Sequence, residues 1–285
     1  MTVHEAFENF KGRLELPDRR QEEAAAAQQA IRERIGAHLY IRHSFLSGSY
    51  SRHTKIHPLN DIDVILIRND SRVGLATGGS GVFPSTALQQ VADAVRKAYP
   101  SAKVAIQGRS VNVGLPSIPF GFDLVPAWYR SPDGYWIPNA EAGGWIPTDP
   151  DQHGKMLTEA NDRCNKKLVP LIKMVKHWSR QNLDLFRSFH LEIACQRILT
   201  KPVDSWQVGV ATALVQLAGF VGKPMMDPVH GVSRVDKELS ADEHAKLLSR
   251  VQYDAGNAIE ALRFETAGDH ANAIDKWRHI FLKDF

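Results

Sequence analysis

The chain has 285 residues, of which 43% are hydrophobic and 24% are charged, and this composition excludes collagen-like, coiled-coil and wholly disordered proteins. Its 35 basic and 32 acidic residues give a formal net charge of +3, which argues against a protein devoted to long nucleic acids. The two cysteines, Cys164 and Cys195, are too few for a zinc knuckle or a disulfide framework. With no apolar run of roughly 18 residues and no signal-peptide pattern, we expect a soluble, cytoplasmic protein.

The length predicts about two domains, and residues 1–150 have the pattern of a mixed α/β domain. A stretch rich in Ala, Glu and Gln predicts one long helix over about 17–39, and a second helix is predicted over 86–98. The segment 131–150 is dense in Pro, Gly and Trp, which predicts a loop that leads to the second domain. The segments with strand character are IDVILI, AKVAIQ, SVNVGL and FGFDLVPAW.

Residues 151–285 have a helical pattern throughout. Leu168, Leu171, Ile172 and Val175 follow the i, i+3, i+4, i+7 spacing of an amphipathic helix. Another helix is predicted over 206–218. Ser240 and Glu243 have the spacing of a capping box, which predicts the start of a further helix. The chain is therefore expected to be an α+β protein, with a mixed-sheet domain over 1–150 and a helical domain over 151–285.

The segment FLSGSYSRHTKIHPLNDIDVILI carries the chemistry. Because side chains alternate along a strand, Asp61 and Asp63 point to one side and their apolar neighbours to the other. Two adjacent carboxylates repel each other and are costly to desolvate unless a cation lies between them. Hard oxygen ligands suit Mg²⁺ or Mn²⁺, and Mg²⁺ completes its shell with waters and substrate phosphates. The alternative interpretation is a solvated turn after Pro58.

Gly48 and Ser49 lie upstream of the aspartate pair and predict a phosphate-binding turn. Gly48 lets a phosphate approach the backbone, and Ser49 can donate hydrogen bonds through its hydroxyl and its amide. Transfer to a hydroxyl by two metal ions would need a third carboxylate. Asp123, a lone charge within the apolar run FGFDLVPAW, is the candidate, with a strand-end or turn aspartate as the alternative.

The pattern G-S-x-x-R-x-T-x-I, followed by D-x-D and a later strand aspartate, resembles the DNA polymerase β-like nucleotidyltransferases. Within them it most resembles the bacterial cGAS/DncV-like nucleotidyltransferases (CD-NTases), which make cyclic oligonucleotide signals in anti-phage defence. The resemblance implies a bilobed fold, in which a mixed-sheet nucleotidyltransferase lobe and a helical lobe form a central cleft for nucleoside triphosphates. The matching residues are Gly48, Ser49, Arg52, Thr54, Ile56, Asp61, Asp63 and Asp123.

The run LVPLIKMVKHWSRQN resembles the spine helix of the 2′-5′ oligoadenylate synthetases and their bacterial relatives. This resemblance implies that Lys176 contacts the donor phosphates, that Ser188 binds phosphate and that Phe189 stacks on the donor base. The structural alternatives are a solvated basic face for Lys176, a helix N-cap for Ser188 and a core position for Phe189. The C-terminal end also resembles the bacterial family, except that Leu282 stands where glycine is expected.

The resemblance implies a metal-dependent enzyme that condenses nucleoside triphosphates, ATP among them, into a cyclic di- or trinucleotide and releases pyrophosphate. Asp61, Asp63 and Asp123 would hold Mg²⁺ or Mn²⁺. The family also implies a regulatory protein partner and an effector that recognises the product, whereas no membrane and no long nucleic-acid track are expected. Two alternatives stay open: a linear oligonucleotide, RNA-tailing or small-molecule nucleotidyltransferase, and a nucleotide sensor without turnover.

Overall fold

The computed structural model describes residues 1–68, 82–282 and 285. These residues form two compact units, each assembled from separate stretches of the chain. The mixed-sheet unit comprises Leu16–Arg52 and Pro58–Gly154, and the helical unit comprises Met1–Glu15, His53–His57 and Lys155–Phe285. A domain boundary near residue 150 stays a prediction. The helical unit also contains two earlier segments of the chain, Met1–Glu15 and His53–His57, which pack with the C-terminal helices.

The described elements, in chain order, are α1 (Val3–Leu14), α2 (Asp18–Gly36), β1 (His43–Leu46), α3 (Gly48–Ser51), β2 (Asp61–Ile67), α4 (Pro84–Ala98), β3 (Lys103–Ile106), β4 (Val111–Gly114), β5 (Gly121–Tyr129), β6 (Tyr135–Asn139), β7 (Gly144–Thr148), α5 (Pro150–Arg163), α6 (Leu168–Asn182), α7 (Ser188–Ile198), α8 (Trp206–Leu217), a 3₁₀ turn (Ala218–Phe220), α9 (Ala241–Thr266) and α10 (His270–Phe281). The predicted mixed α/β pattern, the four predicted strands and the predicted helices are confirmed.

The sheet of the mixed-sheet unit has the order β1-β2-β5-β4-β3. Strands β2 and β5 are parallel, and the other pairs of this path are antiparallel. Ile62, Val64 and Leu66 of β2 are fully buried in a core that they share with α2 and α4. Since residues alternate along a strand, the odd-numbered residues of β2 occupy the opposite face of the sheet.

The prediction of a loop over 131–150 is wrong for its central part, which forms the β6–β7 hairpin. Tyr135 and Ile137 of β6 pack against an apolar cluster of β2 and β5 residues on the odd-numbered face of the sheet. The prolines that suggested a loop, Pro138 and Pro147, lie within the hairpin. Proline is accommodated where a strand is not hydrogen-bonded on both sides. Pro147 meets this condition because β7 pairs only with β6 among the described strands, and Pro138 meets it because β6 pairs with β5 only at Tyr135 and Trp136.

The helical unit is built around one large core. Leu168, Leu171, Ile172 and Val175 of α6 are fully buried in it, as the amphipathic spacing predicts. Ser240 and Glu243 form the predicted capping box at the start of α9.

Helix α1 is not predicted from the sequence. Its N-cap Thr2 and its residue Glu5 nevertheless form a capping box. Phe7 and Phe10 of α1 are completely buried against aromatic side chains of α10. Both cysteines are buried and unbonded to each other. None of the helices in the described residues is long and apolar enough to cross a membrane.

Candidate active site

Three aspartates lie on one face of the mixed-sheet unit. Asp61 and Asp63 are half-buried on β2. Ile62, which lies between them, and Val64, which follows them, are fully buried on the other face. Asp63 pairs in register with Asp123 of the parallel strand β5. Side chains at paired positions of neighbouring strands point to the same face, so the carboxylates of Asp63 and Asp123 lie side by side, as the sequence predicts.

The turn that carries Gly48 and Ser49 lies directly against this face. The backbone N–H of Ser47 donates to the carbonyl oxygen of Asp63 at 2.8 Å, which fixes the turn to β2. Gly48 has φ +63°, and a Cβ atom at this position would lie only 1.7 Å from Oδ2 of Asp63 and 2.6 Å from its Cγ. The following Ser49 is buried in α3. The structure therefore brings the predicted phosphate turn and the predicted metal ligand together.

Asp123 is oriented by side chains of the neighbouring β4 strand and the turn before it. Asn112, its register partner on β4, donates from Nδ2 to Oδ1 of Asp123 at 3.0 Å. The Ser110 hydroxyl lies 3.4 Å from the same oxygen and 3.0 Å from Oε1 of Gln107. The sequence prediction does not include Asn112. The pattern that could have indicated it is a polar residue between two valines, Val111 and Val113, which are buried on the opposite face of the sheet.

The donor chemistry of this face suits a hard divalent cation, since carboxylate oxygens are the ligands that Mg²⁺ and Mn²⁺ prefer. Across residues 1–68, 82–282 and 285, no group of three or more His, Cys, Asp or Glu side chains is arranged as a complete metal-binding group. The metal role of Asp61, Asp63 and Asp123 therefore belongs to the proposal below.

Lys176 lies on α6 in the helical unit and is only 5% exposed, so a solvated basic face is wrong for this residue. Its Nζ lies 3.0 Å from Oε1 of Glu192, 3.1 Å from the carbonyl oxygen of Thr54 and 3.4 Å from the Thr54 hydroxyl. Lys173 is also buried and forms an ion pair with Glu15. Both lysines are buried because α6 is surrounded by other parts of the helical unit, including α1 and the 53–57 segment. Sequence periodicity alone does not reveal these contacts.

Ser188 and Phe189 begin α7, also in the helical unit. Ser188 is exposed and is the first residue of the helix, whereas the N-cap is Arg187 and makes no side-chain capping bond. The N-cap interpretation of Ser188 is therefore wrong. Phe189 is half-buried and packs against the core of the unit, in agreement with its structural alternative, while part of the ring stays accessible.

The fold and the arrangement of the aspartates define a nucleotidyltransferase of the DNA polymerase β-like class. Residues 1–161 match the family described as the Second Messenger Oligonucleotide or Dinucleotide Synthetase (SMODS) domain. Because this match covers more than half of the chain, the protein belongs to that family. It is thus a bacterial cGAS/DncV-like nucleotidyltransferase, from a family whose members make second-messenger oligonucleotides, and the predicted class is confirmed.

Individual relatives agree with this assignment. The chain is 26% identical to a cyclic AMP-AMP-AMP synthase of Acinetobacter sp. in an alignment 313 positions long, gaps included, which covers 100% of this chain and 86% of the relative. Its fold is similar to CdnC of E. coli MS115-1, solved with ATP (TM-score 0.78) and in complex with HORMA-deltaN (TM-score 0.76). Both alignments are 19% identical and cover 99% of this chain and 98% of CdnC. A mutant of the Vibrio cholerae di-nucleotide cyclase DncV, solved with ATP and GTP, aligns with a TM-score of 0.79 at 13% identity, over 100% and 97% of the two chains.

Proposed function

We propose that this enzyme condenses nucleoside triphosphates, ATP among them, into a cyclic di- or trinucleotide and releases pyrophosphate. The observation that carries the proposal is the pairing of Asp63 with Asp123 beside the Gly48 turn, because it combines hard oxygen donors with a glycine turn that has no side chain to exclude a phosphate. The name of the Acinetobacter relative and the ATP complex of CdnC support ATP as a substrate.

Asp61, Asp63 and Asp123 are the residues proposed to hold Mg²⁺ or Mn²⁺. When bound, the cation would neutralise the triphosphate and favour deprotonation of the attacking ribose hydroxyl. Gly48 and Ser49 would bind the triphosphate through backbone and hydroxyl groups. Asn112 would keep the Asp123 carboxylate in one orientation through its 3.0 Å hydrogen bond.

The remaining proposed nucleotide ligands belong to the helical unit. Ser188 would bind a donor phosphate, since it is exposed at the N-terminus of an eleven-residue helix, where backbone N–H groups and the helix dipole favour anions. The accessible part of the Phe189 ring would stack on the donor base. Lys176 would add positive charge for the donor phosphates while it contacts Thr54 and Glu192.

In the reaction, a ribose hydroxyl attacks the α-phosphate of the donor, a new phosphodiester bond forms and pyrophosphate leaves. Repetition and ring closure give the cyclic product. The chain would contribute positioning and electrostatic stabilisation, which are the main sources of catalysis in such transfers. By resemblance, the product would serve antiviral defence in the cytoplasm through an effector. The HORMA-deltaN complex of CdnC supports a protein partner.

The test is the double variant Asp61→Asn with Asp63→Asn, supplied with all four nucleoside triphosphates and Mg²⁺ or Mn²⁺. We expect it to lose pyrophosphate release while its circular dichroism spectrum is retained, because the amides keep the shape of the side chains and remove both charges. Asp133→Asn, an exposed turn residue of the same unit, is the control and should retain full turnover. Undiminished turnover in the double variant would contradict the proposal.

Mass spectrometry of the wild-type products, with and without phosphatase, separates the alternatives. A cyclic product keeps its mass after phosphatase treatment, whereas a linear product loses its terminal phosphates. Nucleotide binding without pyrophosphate release under either metal would instead indicate a sensor without turnover.

A further inference from the structure

The helical unit contains a buried polar triad made of Thr54, Lys176 and Glu192. Thr54 and Glu192 have no exposed surface, and Lys176 is 5% exposed. Oε1 of Glu192 accepts hydrogen bonds from the Thr54 hydroxyl at 2.7 Å and from Nζ of Lys176 at 3.0 Å. Nζ of Lys176 also donates to the Thr54 carbonyl oxygen at 3.1 Å. A buried carboxylate and a buried ammonium are thus compensated by each other and by one threonine.

Thr54 belongs to the 53–57 segment, which is held in the helical unit by several further contacts. Ile56 is 1% exposed within the core of that unit. The backbone N–H of His57 donates to the carbonyl oxygen of Leu14 in α1 at 3.1 Å. His53, where the segment begins, has φ +57° in the left-handed region. The segment is therefore fixed at Thr54, Ile56 and His57, although it has no regular secondary structure.

The same segment joins the two motifs of the proposed active site along the chain. Thr54 comes five residues after Ser49 and seven residues before Asp61. Because an extended chain spans at most about 3.3–3.6 Å per residue, these short connections limit how far the Ser49 turn and the Asp61 strand can move from Thr54. Fixing Thr54 therefore sets an upper bound, through the covalent chain, on how far each motif can lie from it.

We propose that Glu192 is a positioning residue of the nucleotidyl transfer. By accepting hydrogen bonds from Thr54 and Lys176 at once, it fixes the 53–57 segment and so restricts the chain ends that carry Ser49 and Asp61. The effect of Glu192 on catalysis rests on the proposed function. Its hydrogen bonds to Thr54 and Lys176 are present in the chain without nucleotide and do not depend on that function. Lys176 also gains a second role, because its ammonium fixes Thr54 as well as adding charge.

The test compares Glu192→Gln, Thr54→Val and Thr54→Ser with the control Glu159→Gln, an exposed carboxylate of α5. Amide hydrogen exchange of the peptide that contains residues 53–57 is measured without nucleotide, and kcat and KM for ATP are measured with Mg²⁺. Glu192→Gln keeps an acceptor oxygen but removes the charge that compensates the buried Lys176 ammonium, so we expect it to raise the exchange rate. It should also lower kcat by about tenfold or more with little change in KM, since small misplacements of reacting groups reduce the rate of the bound complex.

Thr54→Val removes only the hydroxyl and should shift both measurements in the same direction as Glu192→Gln. Thr54→Ser, which retains the hydroxyl, should keep wild-type exchange and kcat, and so should Glu159→Gln. Thr54→Val also keeps the ion pair, so it tests the inference even where Glu192→Gln fails to fold.

Unchanged exchange in both Glu192→Gln and Thr54→Val would overturn the anchoring, and a loss confined to KM would overturn the positioning role in favour of direct substrate binding. A wild-type protein that releases no pyrophosphate would count against the proposed function alone. The exchange rates would then still decide whether Glu192 fixes the segment.

Discussion

At Gly48, the Asp63 carboxylate occupies the space that a side chain would need. From the sequence, Gly48 is interpreted as a position where a phosphate approaches the backbone. The structure gives a second reason why glycine is required at this position. A Cβ atom would lie 1.7 Å from Oδ2 of Asp63, and the residue has a left-handed φ of +63°. Gly48 would thus serve both the proposed phosphate turn and the orientation of a proposed metal ligand.

We therefore expect Gly48→Ala to reduce turnover by roughly 100-fold, because the added methyl group must displace the Asp63 carboxylate. The positive φ should also lower the free energy of unfolding by about 1–2 kcal/mol. Gly143→Ala is a matched control, since Gly143 has φ +68° and no heavy atom within 4 Å of its ideal Cβ. The control should show the loss of stability without the loss of turnover. Equal turnover of the two variants in a pyrophosphate-release assay would refute the steric explanation.

At the scale of an element, the end of α10 contains a strained residue. Leu282 has φ +57° and ψ −144°, a region occupied almost entirely by glycine, and the resemblance to the bacterial family predicts glycine at this position. Leu282 is 39% exposed, so a glycine here would lose the contacts of a partly buried side chain. The residue that departs from the family pattern is therefore also the residue with a strained backbone.

Leu282→Gly should leave the free energy of unfolding about 1–3 kcal/mol higher than a matched Leu→Gly change elsewhere, since only here does glycine relieve backbone strain. The matched control is Leu183→Gly at the C-cap of α6, where leucine is equally exposed but has an ordinary φ of −118°. Both variants lose similar packing and add the same entropy to the unfolded chain. Urea denaturation of both variants provides the measurement, and equal losses of stability would show that the backbone at Leu282 is not strained.

The elements that could be predicted from the sequence are those whose signal is local. The alternation around Asp61 and Asp63 depends on burial of one strand face and is confirmed. The 3.6-residue spacing correctly predicts helix α6, although this helix is buried on every side over residues 171–179. The β6–β7 hairpin was not predictable in this way, because Pro138 and Pro147 suggest a loop unless the pairing of the two strands is known. Likewise, the burial of Lys176 results from contacts with Thr54 and Glu192, which are far away in the sequence. The metal-binding and nucleotide-binding roles of these residues stay predictions.

At the scale of the whole molecule, the two compact units do not follow the order of the chain. The helical unit includes Met1–Glu15 as well as the C-terminal helices. Phe7 of α1 makes an edge-to-face contact with Trp277 at a centroid distance of 4.9 Å, and Phe10 lies 4.5 Å from Phe281. All four of these side chains have no exposed surface. Helix α1 is therefore an integral part of the C-terminal core.

A fragment of residues 151–285 should consequently fail to unfold cooperatively in urea. Without α1 it lacks Phe7 and Phe10, and truncation of a buried phenylalanine costs about 3–5 kcal/mol, which for two residues is comparable to the roughly 5–15 kcal/mol that stabilises a typical domain. Fusing residues 1–15 to the fragment through a long Gly-Ser linker should restore part of the cooperative transition by far-UV circular dichroism, since the fusion regains α1 but still lacks the 53–57 segment of the helical unit. The same fusion with Phe7→Ala and Phe10→Ala should not restore it. Should the isolated fragment match the fusion in midpoint and slope, α1 would be dispensable and a boundary near residue 150 would delimit an independently folding domain.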